Sequence, residues 1–352
     1  VAELAGMPAA RVASTDADRL LALESHLASR VVGHRAALTR IAHVIRRNAV
    51  GFRGTRPMGT FLLLGPTGVG KTETARAVAE ALYPGVGAMA RFDMAEYAEP
   101  HSVARLVGAP PGYVGYSDGG QLTEAVRRRA YQLVLLDEIE KAHRDVLEAL
   151  LGLLDEARLT DGRGRTVDFR HTVVVMTSNL GAELYRERAT SRSIGFGADR
   201  GVLGETTAQS VLSAARSALP PELWNRIDET LVYGPLGRDE IAEVARRLLA
   251  ESAARLLADQ GVEVLATEPV IDLLLEGGGY EPSLGARPMR RAIARHVEAP
   301  LAEAVLRGEL RRGDRAVLVA REGRVALERT SGSLIDGRVA SHSAAAHGPR
   351  HS

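Results

Sequence analysis

The residues Gly65, Pro66, Thr67, Gly68, Val69, Gly70, Lys71 and Thr72 have the types and order of a phosphate-binding loop. Glycines let backbone N–H groups converge on phosphate oxygens, Lys71 would reach the β and γ phosphates, and the Thr72 hydroxyl would ligate Mg²⁺. The competing reading is an ordinary glycine turn capping a helix. The rarity of lysine argues against it: the positive charge is almost all arginine, and only Lys71 and Lys141 are lysines. Downstream, the run Leu133, Val134, Leu135, Leu136 ends in Asp137 and Glu138. This places two carboxylates at the carboxy-terminal tip of a buried strand, where ligands of open α/β sheets bind. There Asp137 would hold Mg²⁺ and Glu138 would polarise a water for attack on the γ phosphate. Alone, such a pair reads more readily as a solvated strand end; beside a phosphate loop it becomes a candidate catalytic pair.

These residues need a scaffold, and the hydrophobic pattern supplies one. Helical spacing runs through 16–30 and again from about Ala36 to Ala49. The period then changes: Phe61–Leu64 is a short apolar run, followed by the glycine-rich turn and a helical stretch from Thr72 to Tyr83, so strand, loop and helix follow in order. Further buried strands are expected at Leu133–Leu136 and Thr172–Met176, separated by helical segments. That alternation predicts an α/β fold with a parallel sheet flanked by helices. After Gly234, Pro235 and Gly237 the pattern turns mainly helical (Asp239–Asp259, Pro269–Leu275, Met289–Val305), with a closing strand at Ala316–Ala320. The expected organisation is a linker over 1–15, a large domain over 16–236, a smaller, mainly helical domain over 237–328, and a Ser/Gly/Ala/His-rich disordered tail over 329–352.

Composition narrows the function classes. The 352 residues are 45% hydrophobic and 25% charged, values that suit a packed globular chain. A net charge of +1 offers no global attraction to nucleic acid or anionic membrane, and neither is expected as a partner. The absence of cysteine removes disulfides, thiolate zinc sites and cysteine nucleophiles. The longest apolar runs fall far short of the roughly 18 residues a membrane span needs, and Val1 opens a mixed polar stretch unlike a secretory signal. A cytoplasmic setting is therefore the expectation.

From the amino-terminal segment to about Arg324, the chain resembles the second ATPase module of the Clp family of AAA+ unfoldases and disaggregases. The residues that carry the resemblance are GPTGVGKT, GYVGY at 112–116, LLDEIEKAH at 135–143, RLTDGRGRTVDFRHTVVVMTSNLGA at 158–182, NRIDE at 225–229 and GARPMRR at 285–291. The resemblance implies ATP and Mg²⁺ as cofactors and assigns further roles. Asn179 matches the sensor that orients the attacking water. Arg226 matches the arginine finger that reaches a neighbouring subunit's nucleotide, and Arg287 the second sensor, on the small domain, at the γ phosphate. Such amide and guanidinium groups can fix a water and neutralise charge on a transferring phosphoryl group.

A finger supplied in trans implies a closed ring, and the family's ring is a hexamer. GYVGY resembles the loop that projects into the axial pore, where Tyr113, with Val114 beside it, would grip a threaded polypeptide through a broad amphipathic ring face. Ile194, Gly195 and Phe196 resemble the hydrophobic tripeptide by which some family members dock on a ClpP-type peptidase. Val50-Gly51-Phe52 and Leu151-Gly152-Leu153 fit the same loose pattern, and only position favours the downstream copy. His34, in VVGH, stands where the family usually carries glutamine, close to the segment that packs the adenine. Ser117 softens the usual acidic flank of the pore loop. VAELAGMPAARV resembles the linker after a first ATPase module, so the chain reads as the carboxy-terminal part of a longer two-module protein or as a truncated relative. The expected activity is ATP-driven protein unfolding with delivery to a peptidase. The alternatives are a ClpB-like disaggregase without peptidase and a nucleotide-binding switch that threads nothing.

Overall fold

A computed structural model describes residues 9–83, 85, 87–109, 119–185 and 200–330. Helices α1 (Ala9–Arg30) and α2 (Arg35–Arg47) come first. Residues 9–15, expected within a linker, are thus helical. In α2 the positions Leu38, Ile41, Ala42 and Ile45 recur at helical spacing and are all buried, which makes one face of the helix a core face. Strand β1 (Gly59–Leu64) is buried along its whole length and leads through the glycine loop into α3 (Lys71–Leu82). There follow β2 (Met89–Asp93), α4 (Ser102–Val107), α5 (Gln121–Arg128), β3 (Leu133–Asp137), α6 (Arg144–Glu156), the short strands β4 (Arg158–Thr160) and β5 (Thr166–Asp168), and β6 (Val173–Ser178). Then come α7 (Arg200–Ala218), the single turn α8 (Pro221–Trp224) and β7 (Glu229–Val232).

Among the described residues, β2, β3, β6, β1 and β7 form a five-stranded sheet in that order, every neighbouring pair parallel. Successive strand residues point to opposite faces, and the apolar runs divide accordingly. Leu62, Leu64, Val134, Leu136, Val174 and Met176 pack on one side with residues of α5, α6 and α7. Phe61, Leu63, Leu133, Leu135, Val173 and Val175 pack on the other with residues of α1, α2 and α3. Because the strands are parallel, their carboxy-terminal tips lie along one edge. In register, Leu64 sits opposite Ser178, Leu136 opposite Met176 and Asp93 opposite Asp137. The phosphate-loop candidate, the acidic pair and Asn179 are thereby brought to one edge by topology.

The remaining elements are α9 (Arg238–Gln260), β8 (Glu263–Ala266), α10 (Glu268–Leu274), α11 (Arg287–Ile293), α12 (Ala299–Leu306), β9 (Arg315–Arg321) and β10 (Arg324–Thr330). The chain divides into two compact units. One is formed by residues up to Ala245 together with Leu274–Ala292, the other by Arg246–Leu273 and the residues from Ile293 on. By compactness the break falls within α9, between Ala245 and Arg246, and Leu274–Ala292 belongs with the first unit. In the second unit, β8 runs parallel to β9, and β9 pairs with β10 as an antiparallel hairpin. Val262, Val264, Ile271, Leu301, Ala316 and Leu318 are among its buried side chains. Strand β10 continues to Thr330, past the expected start of the tail; the rest of that segment lies outside the described residues.

Candidate nucleotide site

The glycine loop owes its path to residues without a Cβ. Gly65 has φ 142°, and a Cβ there would lie 2.1 Å from the Tyr233 carbonyl oxygen. Gly68, at φ 78°, approaches the Leu284 carbonyl so closely that a Cβ would stand 2.4 Å from it. No other residue type fits either place. The loop then enters α3, whose amino-terminal N–H groups and dipole favour an anion.

Lys71, the first residue of α3, is only 8% exposed. Its Nζ donates to the Gly65 and Pro66 carbonyls at 2.5 and 2.8 Å and to Asn179 Oδ1 at 2.9 Å. The other end of the Asn179 amide, Nδ2, donates to Glu138 Oε1 at 2.9 Å. One side-chain amide therefore bridges the loop lysine and the candidate base. Glu138 holds a left-handed backbone, φ 57°, rare for a residue with a side chain, and its N–H donates to Thr177 Oγ1 at 3.1 Å. The Thr177 hydroxyl in turn donates to Asp137 Oδ1, while Asp137 Oδ2 accepts from Arg91 Nη2 at 2.6 Å. Glu140 Oε1 accepts the Asn179 N–H at 3.0 Å, and its Oε2 is buried without a hydrogen-bond partner.

The site thus joins Lys71, Asp137, Glu138 and Asn179 and adds Arg91, Thr177 and Glu140, none of which the sequence had given a role. Arg91 and Thr177 reach Asp137 across neighbouring strands, so only the strand order could have revealed them. Arg287 heads α11 beside the loop: the Ala286 N–H donates to the Gly68 carbonyl at 2.9 Å, and a Cβ on Gly68 would meet Arg287 Cγ at 3.3 Å. Arg226 stands apart from this network. Its Nε donates to Asp155 Oδ2 at 2.8 Å and its Nη1 to the Glu222 carbonyl at 2.6 Å. Tyr113, Val114, Ile194, Gly195 and Phe196 lie outside the described residues.

The residues suit a nucleotide with Mg²⁺. Thr72 and Asp137 offer hard oxygen donors, and no cluster of three or more His, Cys, Asp or Glu side chains arranged to hold a metal occurs among the described residues. Such a sparse donor set fits a cation that takes its remaining ligands from phosphate and water, as Mg²⁺ does. Burial pulls the Lys71 ammonium from 10.5 down to about 8; Arg287 acts in the same direction, and Glu140, Asp137 and Glu138 oppose it. Above about pH 8 the folded chain has lost a proton that the unfolded chain keeps to about 10.5, so this group's contribution to stability rises with pH across that window. Nucleotide binding has the opposite trend, because a phosphate requires the ammonium. ADP affinity without Mg²⁺ should be level between about pH 7, where the terminal phosphate of ADP is already fully ionised, and about pH 8, and fall about tenfold per pH unit above that. Calorimetry in buffers of different ionisation enthalpy should show proton uptake in that range, and a flat profile to pH 10 would contradict the assignment of Lys71.

Residues 56–230 match the family described as AAA domain (Cdc48 subfamily), and residues 236–318 match the C-terminal, D2-small domain, of ClpB protein. The chain is 46% identical over 314 residues to the chaperone protein ClpB of Meiothermus ruber, covering 89% of this chain and 36% of that protein. It is 47% identical over 315 residues to the chaperone protein ClpB 1 of a Nostoc strain, covering 89% and 34%. It is also 43% identical over 333 residues to the negative regulator of genetic competence ClpC/MecB of Bacillus subtilis, covering 94% and 40%. The chain therefore belongs to the Clp family of AAA+ ATPases, of which it carries the second ATPase module with its small carboxy-terminal domain. It spans between a third and two fifths of the length of these relatives. Among the described residues no helix is long and apolar enough to cross a membrane.

Proposed function

We propose that the chain hydrolyses ATP at this site and uses the energy to unfold polypeptide as one subunit of a hexameric ring. The observation that carries the reading is the connected line Lys71, Asn179, Glu138 along the tips of parallel strands. It links, through the two ends of one amide, a phosphate-binding cation, a water-orienting group and a general base drawn from three different segments to one edge of the sheet. Thr72 and Asp137 would hold Mg²⁺, which when bound would neutralise charge on the phosphates. Asn179 holds the Glu138 carboxylate, and Glu138 takes the proton of the attacking water. Arg287, beside Gly68, adds positive charge near the γ phosphate. Arg226, one quarter exposed and aimed by Asp155 and the Glu222 carbonyl, serves the site of an adjoining subunit. Tyr113 and Val114 grip the threaded chain.

The relatives named chaperone protein ClpB favour a remodelling role, and the similarity to ClpC keeps delivery to a ClpP-type peptidase through Ile194, Gly195 and Phe196 in play. Loss of fluorescence from a tagged fluorescent protein, monitored with ATP, tests the central reading. The parent should unfold it, and Tyr113→Ala should hydrolyse ATP yet leave the fluorescence intact. Hydrolysis with no unfolding by the parent would favour the nucleotide-binding switch. Co-migration with a ClpP-type peptidase on a sizing column, abolished by Phe196→Ala, separates the peptidase partner from the disaggregase.

A further inference from the structure

A loop that turns its N–H groups toward an anion must turn its carbonyls away, and buried carbonyls need donors. Five of the six carbonyls of Gly65–Gly70 have one. Lys71 Nζ takes those of Gly65 and Pro66, the Ala286 N–H that of Gly68, and the Thr74 N–H and hydroxyl that of Gly70. The fifth, Val69, points at the ring of His34, whose Nε2 lies 3.2 Å from its oxygen.

His34 is placed for this contact. It is the residue before α2, at φ 53°, and its ring lies 4.4 Å from that of Tyr233, tilted by 44°. The Tyr233 hydroxyl donates to Thr74 Oγ1 at 3.1 Å, and Thr74 holds the Gly70 carbonyl. Burial pushes the imidazole below its usual range, against the pull of Glu240. A neutral imidazole carries one N–H, and a carbonyl accepts only from the nitrogen that bears it, so the proton sits on Nε2.

We infer that His34 is a positioning residue for the phosphate loop, fixing the direction in which the Gly70 N–H points. No peptide bond among the described residues is cis, and in a trans peptide the C=O and the following N–H point in opposite directions. Holding the Val69 oxygen toward His34 therefore holds the Gly70 N–H toward the other side, into the cradle. Gly70, without a Cβ and at φ 105°, offers little resistance of its own to a flip of that peptide. The donor on His34 supplies the resistance.

The inference rests on the reading of this loop as a phosphate cradle, and the test separates the two. Binding of ADP and of adenosine to the full chain is measured by ligand-observed NMR titration, with thermal melting alongside. His34→Phe keeps the ring and loses the donor, and should weaken ADP about tenfold while leaving adenosine unchanged. His34→Gln places an amide N–H where Nε2 lies and should restore ADP affinity. Should His34→Phe fail to fold, His34→Asn decides: asparagine tolerates the left-handed backbone but is too short to reach Val69, so it should lose ADP affinity where His34→Gln keeps it. ADP affinity unaffected by loss of the donor overturns the inference, as does equal loss of ADP and adenosine. A parent chain that binds no ADP overturns the cradle reading and this one with it.

Discussion

A Glu138→Gln variant should bind ATP as the parent does and turn it over about 10²–10⁴-fold more slowly, the range for loss of a general base. Glutamine keeps the length of the side chain and an oxygen that can accept from Asn179 Nδ2, the contact made at 2.9 Å by Glu138. The left-handed backbone at φ 57° is no harder for glutamine than for glutamate, and the N–H to Thr177 is untouched. What disappears is the ability to take a proton from water. Steady-state phosphate release beside a titration with a fluorescent ATP analogue reads both quantities. Turnover close to that of the parent would remove Glu138 as the base.

The second large effect concerns a residue with no contact to its own subunit's network. Arg226→Ala should leave ATP affinity of the single chain unchanged and lower turnover of the assembled ring by about 10³–10⁵-fold, the range for an arginine finger. The fold should survive, because Asp155 keeps a second cation, Arg56 Nη2 at 3.6 Å. Mixing gives the sharper result. A Glu138→Gln subunit still offers Arg226, and an Arg226→Ala subunit still has Glu138, so the two inactive variants should regain measurable phosphate release when combined. Mixtures as inactive as either variant would argue against sharing of the site.

What the sequence disclosed and what it hid have physical reasons. Strands β1, β3 and β6 occupy the middle of the sheet, where both faces are covered, so they read as unbroken apolar runs. Strands β2 and β7 are its edges. Arg91 and Asp93 interrupt one, Glu229 and Thr230 the other, and neither forms a run that periodicity can detect. The strands Arg158–Thr160 and Thr166–Asp168 are three residues each, too short for a pattern. The same logic governs the site. Lys71, Asp137 and Glu138 were legible because each belongs to a local motif or follows an apolar strand, and Asn179 only through the family resemblance. Arg91 was not, because its meaning comes from a partner 46 residues away. Arg226 and Asp155 are separated by 71 residues, and nothing local announces their pairing. The roles of Tyr113 and of Phe196 rest on resemblance alone.

Strand β7 has a mechanical consequence. Before it, Asp228 is fastened to the start of β1, its N–H donating to the Thr60 carbonyl and its carboxylate accepting the Thr60 N–H, each at 2.9 Å. After it, the Tyr233 N–H donates to the Leu64 carbonyl at 2.7 Å, and the Tyr233 carbonyl abuts Gly65. Its four residues make a taut bar of roughly 13 Å, with Arg226, the proposed finger, just before one end and the glycine loop, the proposed nucleotide cradle, at the other. In a ring, a tug on that arginine when the adjoining ATP is spent would be felt at the home cradle with little slack. Successive subunits could then fire in sequence rather than independently.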